Sequence, residues 1–202
     1  MKWEEDLIKD IRTNTDFDDQ DGGIDHPMGY RSWFRGEFTK ENTEMLHNIF
    51  MQIKDGCPAI LEIGVCRNEE ASSTWTFLKN KNPETIYIGI DMDDKSFIND
   101  PENNVYTIRA SSGDIDANLE IIKSLGVTEF GFIFIDGFHS INQVLKDWEY
   151  TNMLASDGVV GFHDTSAHPG PVAFVQALNK DIWNVEENLC PDDNGIGFVW
   201  KK

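Results

Sequence analysis

The chain is short of cysteine, short of basic residues and without a long apolar run, and each shortage closes a class of function. Cys57, Cys66 and Cys190 are odd in number and scattered with no C-x-x-C spacing, which excludes a disulfide framework and a zinc knuckle. Lysine and arginine number 17 against 36 aspartates and glutamates, a formal charge of −19. Such a surface repels a nucleic-acid backbone and an anionic membrane, so neither is expected as a partner, and it favours solubility. No apolar stretch approaches the roughly 20 residues of a membrane span, and the opening Met1-Lys-Trp-Glu-Glu-Asp is acidic rather than leader-like. A cytoplasmic location is the expectation. The sequence shows no internal repeat and no low-complexity tract, and 202 residues suit one sizeable core, so a single domain over 1–202 is expected.

A glycine-rich phosphate loop is missing too. The apolar run Ala59-Ile-Leu-Glu-Ile-Gly64 reads as a buried strand, and only Gly64 marks the turn after it. A helix is expected from about Glu69 to Lys79, with Glu69 and Glu70 in a first turn where they would oppose a pyrophosphate but complement the helix dipole. Neither the dinucleotide fingerprint nor the P-loop is met. Glu62 differs from those two acids, because a carboxylate inside a buried strand needs a partner, and an ammonium group is a natural one.

What is present is an alternation of strands and helices. Thr39 caps an expected helix carrying Met45, Leu46, Ile49, Phe50 and Ile53 on one face, closed by Asp55-Gly56 and Pro58. Further strands are expected at Thr85–Ile90, ending at Asp91, and at Asn104–Ile108, with a helix capped by Asp114 turning Leu119, Ile122 and Leu125 inward. Pro171 opens a helix through Leu178, and Ile182–Val185 and Gly195–Trp200 flank a turn-rich link, the mark of an antiparallel pair. Trp75, Trp148 and Phe174 fall at helical spacing with other apolar residues and are expected in the core. The fold class is therefore α/β, a mostly parallel sheet with one reversed strand from a C-terminal hairpin. Residues 1–40 differ in texture from the core at 41–202. The acidic, glycine-broken stretch from Asp16 and the aromatics Tyr30, Trp33 and Phe34 suit an arm, or a lid over residues 16–40 that closes on a ligand.

The chemistry gathers between Glu129 and Thr165. Phe130-Gly-Phe-Ile-Phe-Ile135 ends at Asp136 with His139 just beyond, and Gly158-Val-Val-Gly-Phe162 ends at His163-Asp164. Two buried strands joined by a helix lie parallel by a right-handed crossover, so their carboxyl ends share the edge at which open sheets bind ligands. Asp91 stands where such sheets present an acid to ribose hydroxyls, and Arg109-Ala-Ser-Ser-Gly-Asp114 follows the third strand at the same edge, with small residues that admit a planar ring. His139 is the candidate general base, since its ordinary pKa lies near working pH. His163 reads equally as a ligand or as a residue that orients Asp164. His168 sits in a turn and receives no role, and Asp147 reads as a helix-end or pairing acid outside the site.

Together these landmarks resemble the class I S-adenosylmethionine-dependent methyltransferases from about Thr43 onward. Leu61-Glu-Ile-Gly-Val looks like the first motif, Tyr87-Ile-Gly-Ile-Asp91 like the second, and the terminal hairpin like the reversed seventh strand. Phe134-Ile-Asp-Gly-Phe-His-Ser140, with Val144, Asp147 and Gly158-Val-Val-Gly-Phe-His-Asp-Thr165, is similar to a metal-dependent group of small-molecule and sugar O-methyltransferases. The resemblance implies a seven-stranded Rossmann-like sheet, S-adenosylmethionine held by Glu62, Gly64, Asp91, Ser111 and Ser112, and a divalent ion at Asp136, His163 and Asp164. It also implies a small-molecule, sugar-like acceptor whose hydroxyl is methylated; Asp136 and His139 are the candidate catalytic residues. Relatives generally place two carboxylates, or a carboxylate and an amide, after the fifth strand, whereas this chain has His163 before Asp164. Carboxylates favour magnesium, and an imidazole turns the choice towards manganese, iron or zinc. A homo-oligomer stays open, as does a protein of the same fold that binds cofactor or metal without turnover.

Overall fold

The computed structural model describes residues 39–65, 72–166, 168–189 and 194–202. Five helices and seven strands make up its frame: α1 Lys40–Ile53, β1 Ala59–Ile63, α2 Ser73–Asn80, β2 Ile86–Asp91, β3 Val105–Arg109, α3 Ile115–Ser124, β4 Phe130–Ile135, α4 Ile141–Trp148, β5 Leu154–His163, α5 Pro169–Ala177, β6 Trp183–Asn188 and β7 Ile196–Lys201. The strands form one sheet in the order β3-β2-β1-β4-β5-β7-β6. Neighbours from β3 to β5 pair parallel, and β7 runs antiparallel to both β5 and β6. The reversed strand expected from the hairpin is therefore β7.

Strands buried on both faces need apolar residues on both, and β1 and β4 supply them. Leu61, Ile63, Ile133 and Ile135 join Val144, Trp148 and Phe174 of α4 and α5 on one face. Ile60, Phe132 and Phe134 meet Leu46 and Phe50 of α1 and Phe77 of α2 on the other. Phe50 and Phe77 stand edge-on to each other at 5.3 Å between ring centres, a geometry that adds about 0.5–1.5 kcal/mol to the burial of the pair. Continuous apolar strands of this kind cannot sit at a half-wet sheet face.

Several boundaries move from their expected places. Ser72, in an extended conformation, caps α2 by accepting from the Trp75 N–H at 3.3 Å, so the helix begins at Ser73 rather than near Glu69. Glu69 and Glu70 lie outside the described residues, as does residues 16–38 of the expected lid. α5 begins at Pro169, two residues before Pro171, because proline suits a first helical position wherever the chain has already turned. β5 begins at Leu154 and β6 continues to Asn188, each beyond its apolar signal. Asp114 occupies the cap position of α3, but its side chain makes no capping bond. Trp75 is only partly buried and lines a surface hollow with Leu78, Phe97 and Ile98, whereas Trp148 and Phe174 are in the core as expected.

Candidate active site

The carboxyl ends of the parallel strands meet at one edge, where the backbone is laced together strand by strand. The Gly64 N–H donates to the Ile90 carbonyl at 2.9 Å, the Asp136 N–H to the Ile63 carbonyl at 2.8 Å, and the Ala110 N–H to the Asp91 carbonyl at 3.0 Å. Gly64 has φ +85°, and a β-carbon there would stand 2.0 Å from the Asp136 carbonyl oxygen, so only glycine lets β1 turn beneath β4. The turn after β1 is held by Asp91. One oxygen of its carboxylate accepts from the Val65 N–H at 2.9 Å and the other from the Asp93 N–H at 2.8 Å. Buried Lys95 approaches the first oxygen to 3.6 Å. A carboxylate offers about four acceptor positions, so Asp91 keeps capacity for hydroxyl donors beyond these contacts.

Glu62 lies beneath this edge and is fully buried. Among the described residues its partners are three hydroxyls: Thr74 donates at 2.8 Å, and Ser73 and Tyr87 donate in shorter contacts. Burial pushes the Glu62 carboxyl up to about 7, against the opposing pull of those hydroxyls. Its carboxyl ties β1 and β2 to the first turn of α2, directly below the turn at Gly64.

The Ser111-Ser112 turn is fixed from the opposite side. Asn118 Nδ2 donates to the Ser111 carbonyl at 2.9 Å, the Tyr150 hydroxyl to the Ser112 carbonyl at 2.8 Å, and Gln143 Nε2 to the Ser112 Oγ at 2.9 Å. The same Gln143 nitrogen reaches Asp147 Oδ1 at 2.8 Å. Asp147 is fully buried with its carboxyl pushed up to about 6 by desolvation, so the acid left aside in the sequence braces this wall of the site. Gln143 and Asp147 are four apart on α4, and that spacing was the available signal.

The remaining candidates form one cluster where β4 and β5 end. His163 Nδ1 lies 3.1 Å from Asp136 Oδ1 and 3.5 Å from Asp164 Oδ2. His139 Nε2 lies 2.6 Å from Asp164 Oδ2, and His168 Nε2 lies 3.8 Å from Asp164 Oδ1. Asp164 has φ +63°, a left-handed conformation that costs a non-glycine residue on the order of 1–3 kcal/mol and gathers at functional sites. Burial opposes ionisation of Asp164, but the imidazoles of His163, His139 and His168 outweigh it and hold the carboxyl well below the ordinary range. Asp136 moves the other way: desolvation pushes it up, and His163 only partly offsets this. The ligating atoms of Asp136, His163 and Asp164 lie within 4.8 Å of one another, as do those of His139, Asp164 and His168.

Such a set fits a divalent ion. Two carboxylates crowded in a buried pocket repel each other unless a cation or a proton intervenes, and Asp164 Oδ1 is buried without a hydrogen-bond partner. Every site residue named from the sequence is thus at this edge, with Glu62 just under its surface. His168, Gln143 and Asp147 were the residues missed.

No family model matches the chain, and no curated protein matches it in sequence. Solved structures do match in fold. The MycE methyltransferase from the mycinamycin biosynthetic pathway, in complex with Mg, SAH and mycinamycin VI, aligns at a TM-score of 0.59 and 18% identity over 82% of this chain and 51% of that one. This chain thus spans about half the length of MycE. CalS11, a TDP-rhamnose 3'-O-methyltransferase of calicheamicin biosynthesis, aligns at 0.56 and 14% identity over 79% of each chain. A Clostridium thermocellum chain named as a proposed rRNA methylase aligns at 0.58 and 12% identity over 82% of this chain and 100% of its own. The fold is that of the class I methyltransferases, as the resemblance implied.

Proposed function

We propose that this chain transfers a methyl group from S-adenosylmethionine to a hydroxyl of a small, sugar-like molecule, with a divalent ion held by Asp136, His163 and Asp164. The observation that carries the reading is the His139–Asp164 contact of 2.6 Å at the end of the strands whose neighbours, β1 to β3, present Gly64, Asp91 and Ser111-Ser112. Two fold neighbours, MycE bound to Mg and SAH and the TDP-rhamnose 3'-O-methyltransferase CalS11, support the same chemistry.

In this reading Asp91 accepts hydrogen bonds from the ribose hydroxyls, while the Ser111-Ser112 turn, braced by Gln143 and Tyr150, receives the adenine. The acidic surroundings suit a sulfonium cation. The acceptor oxygen attacks the methyl carbon in line; an oxygen–carbon bond forms, the carbon–sulfur bond breaks, and the sulfonium becomes a neutral thioether. The hydroxyl proton passes to His139 Nδ1, with Nε2–H donating to Asp164 so that the ionised carboxylate stabilises the imidazolium. A bound divalent ion would lower the pKa of a coordinated hydroxyl and orient a vicinal diol. His163 beside two carboxylates favours manganese or iron over magnesium in that position.

Methyl-labelled S-adenosylmethionine incubated with the chain and a panel of free and nucleotide-linked sugars tests the proposal. Label in a methyl ether is the expected result. Cofactor bound without label transfer to any hydroxyl would instead favour a binding protein of this fold.

A further inference from the structure

We propose that His139, Asp164 and His168 form a second metal site, distinct from the Asp136–His163–Asp164 set, that takes a borderline transition ion such as zinc or ferrous iron. The two sets share Asp164, and His163 Nδ1 lies 3.5 Å from the same Oδ2 that His139 meets, so what sets the second apart is His168 on Oδ1. His139 Nε2 stands 2.6 Å from Oδ2 and His168 Nε2 stands 3.8 Å from Oδ1. Two ligands each about 2.1 Å from a tetrahedral ion are separated by about 3.4 Å. The observed separations bracket that value, so opening the first by about 0.8 Å and closing the second by about 0.4 Å would seat an ion between the rings and the carboxylate.

Three further features support a built site rather than a chance meeting of side chains. Asp164 Oδ1 is buried without a hydrogen-bond partner, and the Asp164 side chain is 4% exposed. The imidazoles of His139 and His168 lie face to face, 4.1 Å between centres and 31° apart in plane, with both Nε2 atoms turned to the same carboxylate. The backbone locks this pairing. The Gly170 N–H donates to the His139 carbonyl at 3.0 Å, and a β-carbon on Gly170 would stand 2.2 Å from that oxygen, so the start of α5 approaches His139 only because residue 170 is glycine. The His168 N–H also donates to the Asp164 carbonyl at 3.2 Å, which closes the turn between the two ligands.

Two imidazoles and one carboxylate make a donor set that favours zinc and ferrous iron over magnesium, and three protein ligands leave a position for water or a ligand oxygen. An ion there engages His139 and removes it as the proton acceptor, so occupancy would restrain methyl transfer. That regulatory consequence rests on the proposed function; the ion site does not.

Cobalt(II), a spectroscopic stand-in for zinc, tests the site on the full chain without any turnover, so its failure is separable from failure of the methyl-transfer reading. Asp136→Asn, in which the other donor set is broken, is expected to develop visible d–d absorption on titration. Adding His168→Gln to that variant should weaken the binding roughly tenfold or more. Undiminished cobalt binding in the double variant, or no cobalt band in Asp136→Asn, would each overturn the proposal. Should the double variant melt early, Asp136→Asn supplies the reading itself: cobalt must broaden the ring-proton resonances of both His139 and His168, and sharp His168 signals at saturation would contradict the site.

Discussion

His139 Nε2 and Asp164 Oδ2 stand 2.6 Å apart, joining the loop after β4 to the end of β5 across the sheet's carboxyl edge. An aspartate placed so fixes the imidazole's orientation and stabilises its protonated form. His139→Gln should therefore lower kcat by about 10²–10⁴, the usual scale of general-base catalysis, while leaving the affinity for S-adenosylmethionine where it was. Single-turnover methyl transfer beside a cofactor titration checks this. A variant that turns over like wild type would move the base elsewhere.

Glu62 makes stability depend on pH in an unusual direction for a carboxylate. Its folded pKa of about 7 lies above the ordinary 4.5, so the folded chain holds a proton that the unfolded chain has released. The contribution is complete below about 4.5 and is lost as pH rises towards about 7, amounting to at most about 3 kcal/mol. Denaturant melts across that window should show wild type losing stability relative to Glu62→Gln, whose amide carries no titrating proton. Parallel curves would mean that Glu62 is ionised in the fold.

Gly64→Ala should be costly. The added carbon meets a backbone carbonyl at 2.0 Å in a left-handed conformation, so the penalty is about 2–4 kcal/mol, and relief of the clash displaces Asp136. The melting temperature should fall, and metal affinity at Asp136 should fall with it. An unchanged melt would mean the β1 turn does not run under Asp136.

Chelation should abolish turnover and spare cofactor binding, because Asp91 ends β2 and the Ser111-Ser112 turn follows β3, away from the ends of β4 and β5 that carry Asp136, His163 and Asp164. Rate measured on the labelled acceptor before and after chelation decides this. Full rate in the chelated protein would leave His139 to act without an ion.

Much of this was legible in the sequence because buried parallel strands are written as unbroken apolar runs, and each here ends at a residue that could carry chemistry. Handed crossovers keep the strands parallel, which brings Asp91, Asp136 and His163-Asp164 to one edge without any tertiary information, whereas the strand order is seen only in the structure. The partners of Glu62 were not legible. Its neighbours are hydroxyls from α2 and from Tyr87, brought together only when β1 and β2 pair, and hydroxyls give no charge pattern to read. His168 escaped for a similar reason: Ala-His-Pro-Gly reads as a turn, and the backbone contacts of Gly170 with His139 and of His168 with Asp164 that bring it to the site exist only in the folded chain. The boundaries of α2 and α5 depended on a serine cap and a proline position that several nearby residues could equally have supplied.

Calorimetric titration of S-adenosylmethionine into the metal-stripped chain and into Asp91→Asn tests the account at its centre, the reading of this sheet edge as a cofactor cradle. The wild type should bind saturably, and the variant about 10–150-fold more weakly, the equivalent of about 1.5–3 kcal/mol for hydrogen bonds to a charged group. Absence of binding heat in the wild type at millimolar cofactor, or a folded Asp91→Asn that binds as tightly, would contradict it.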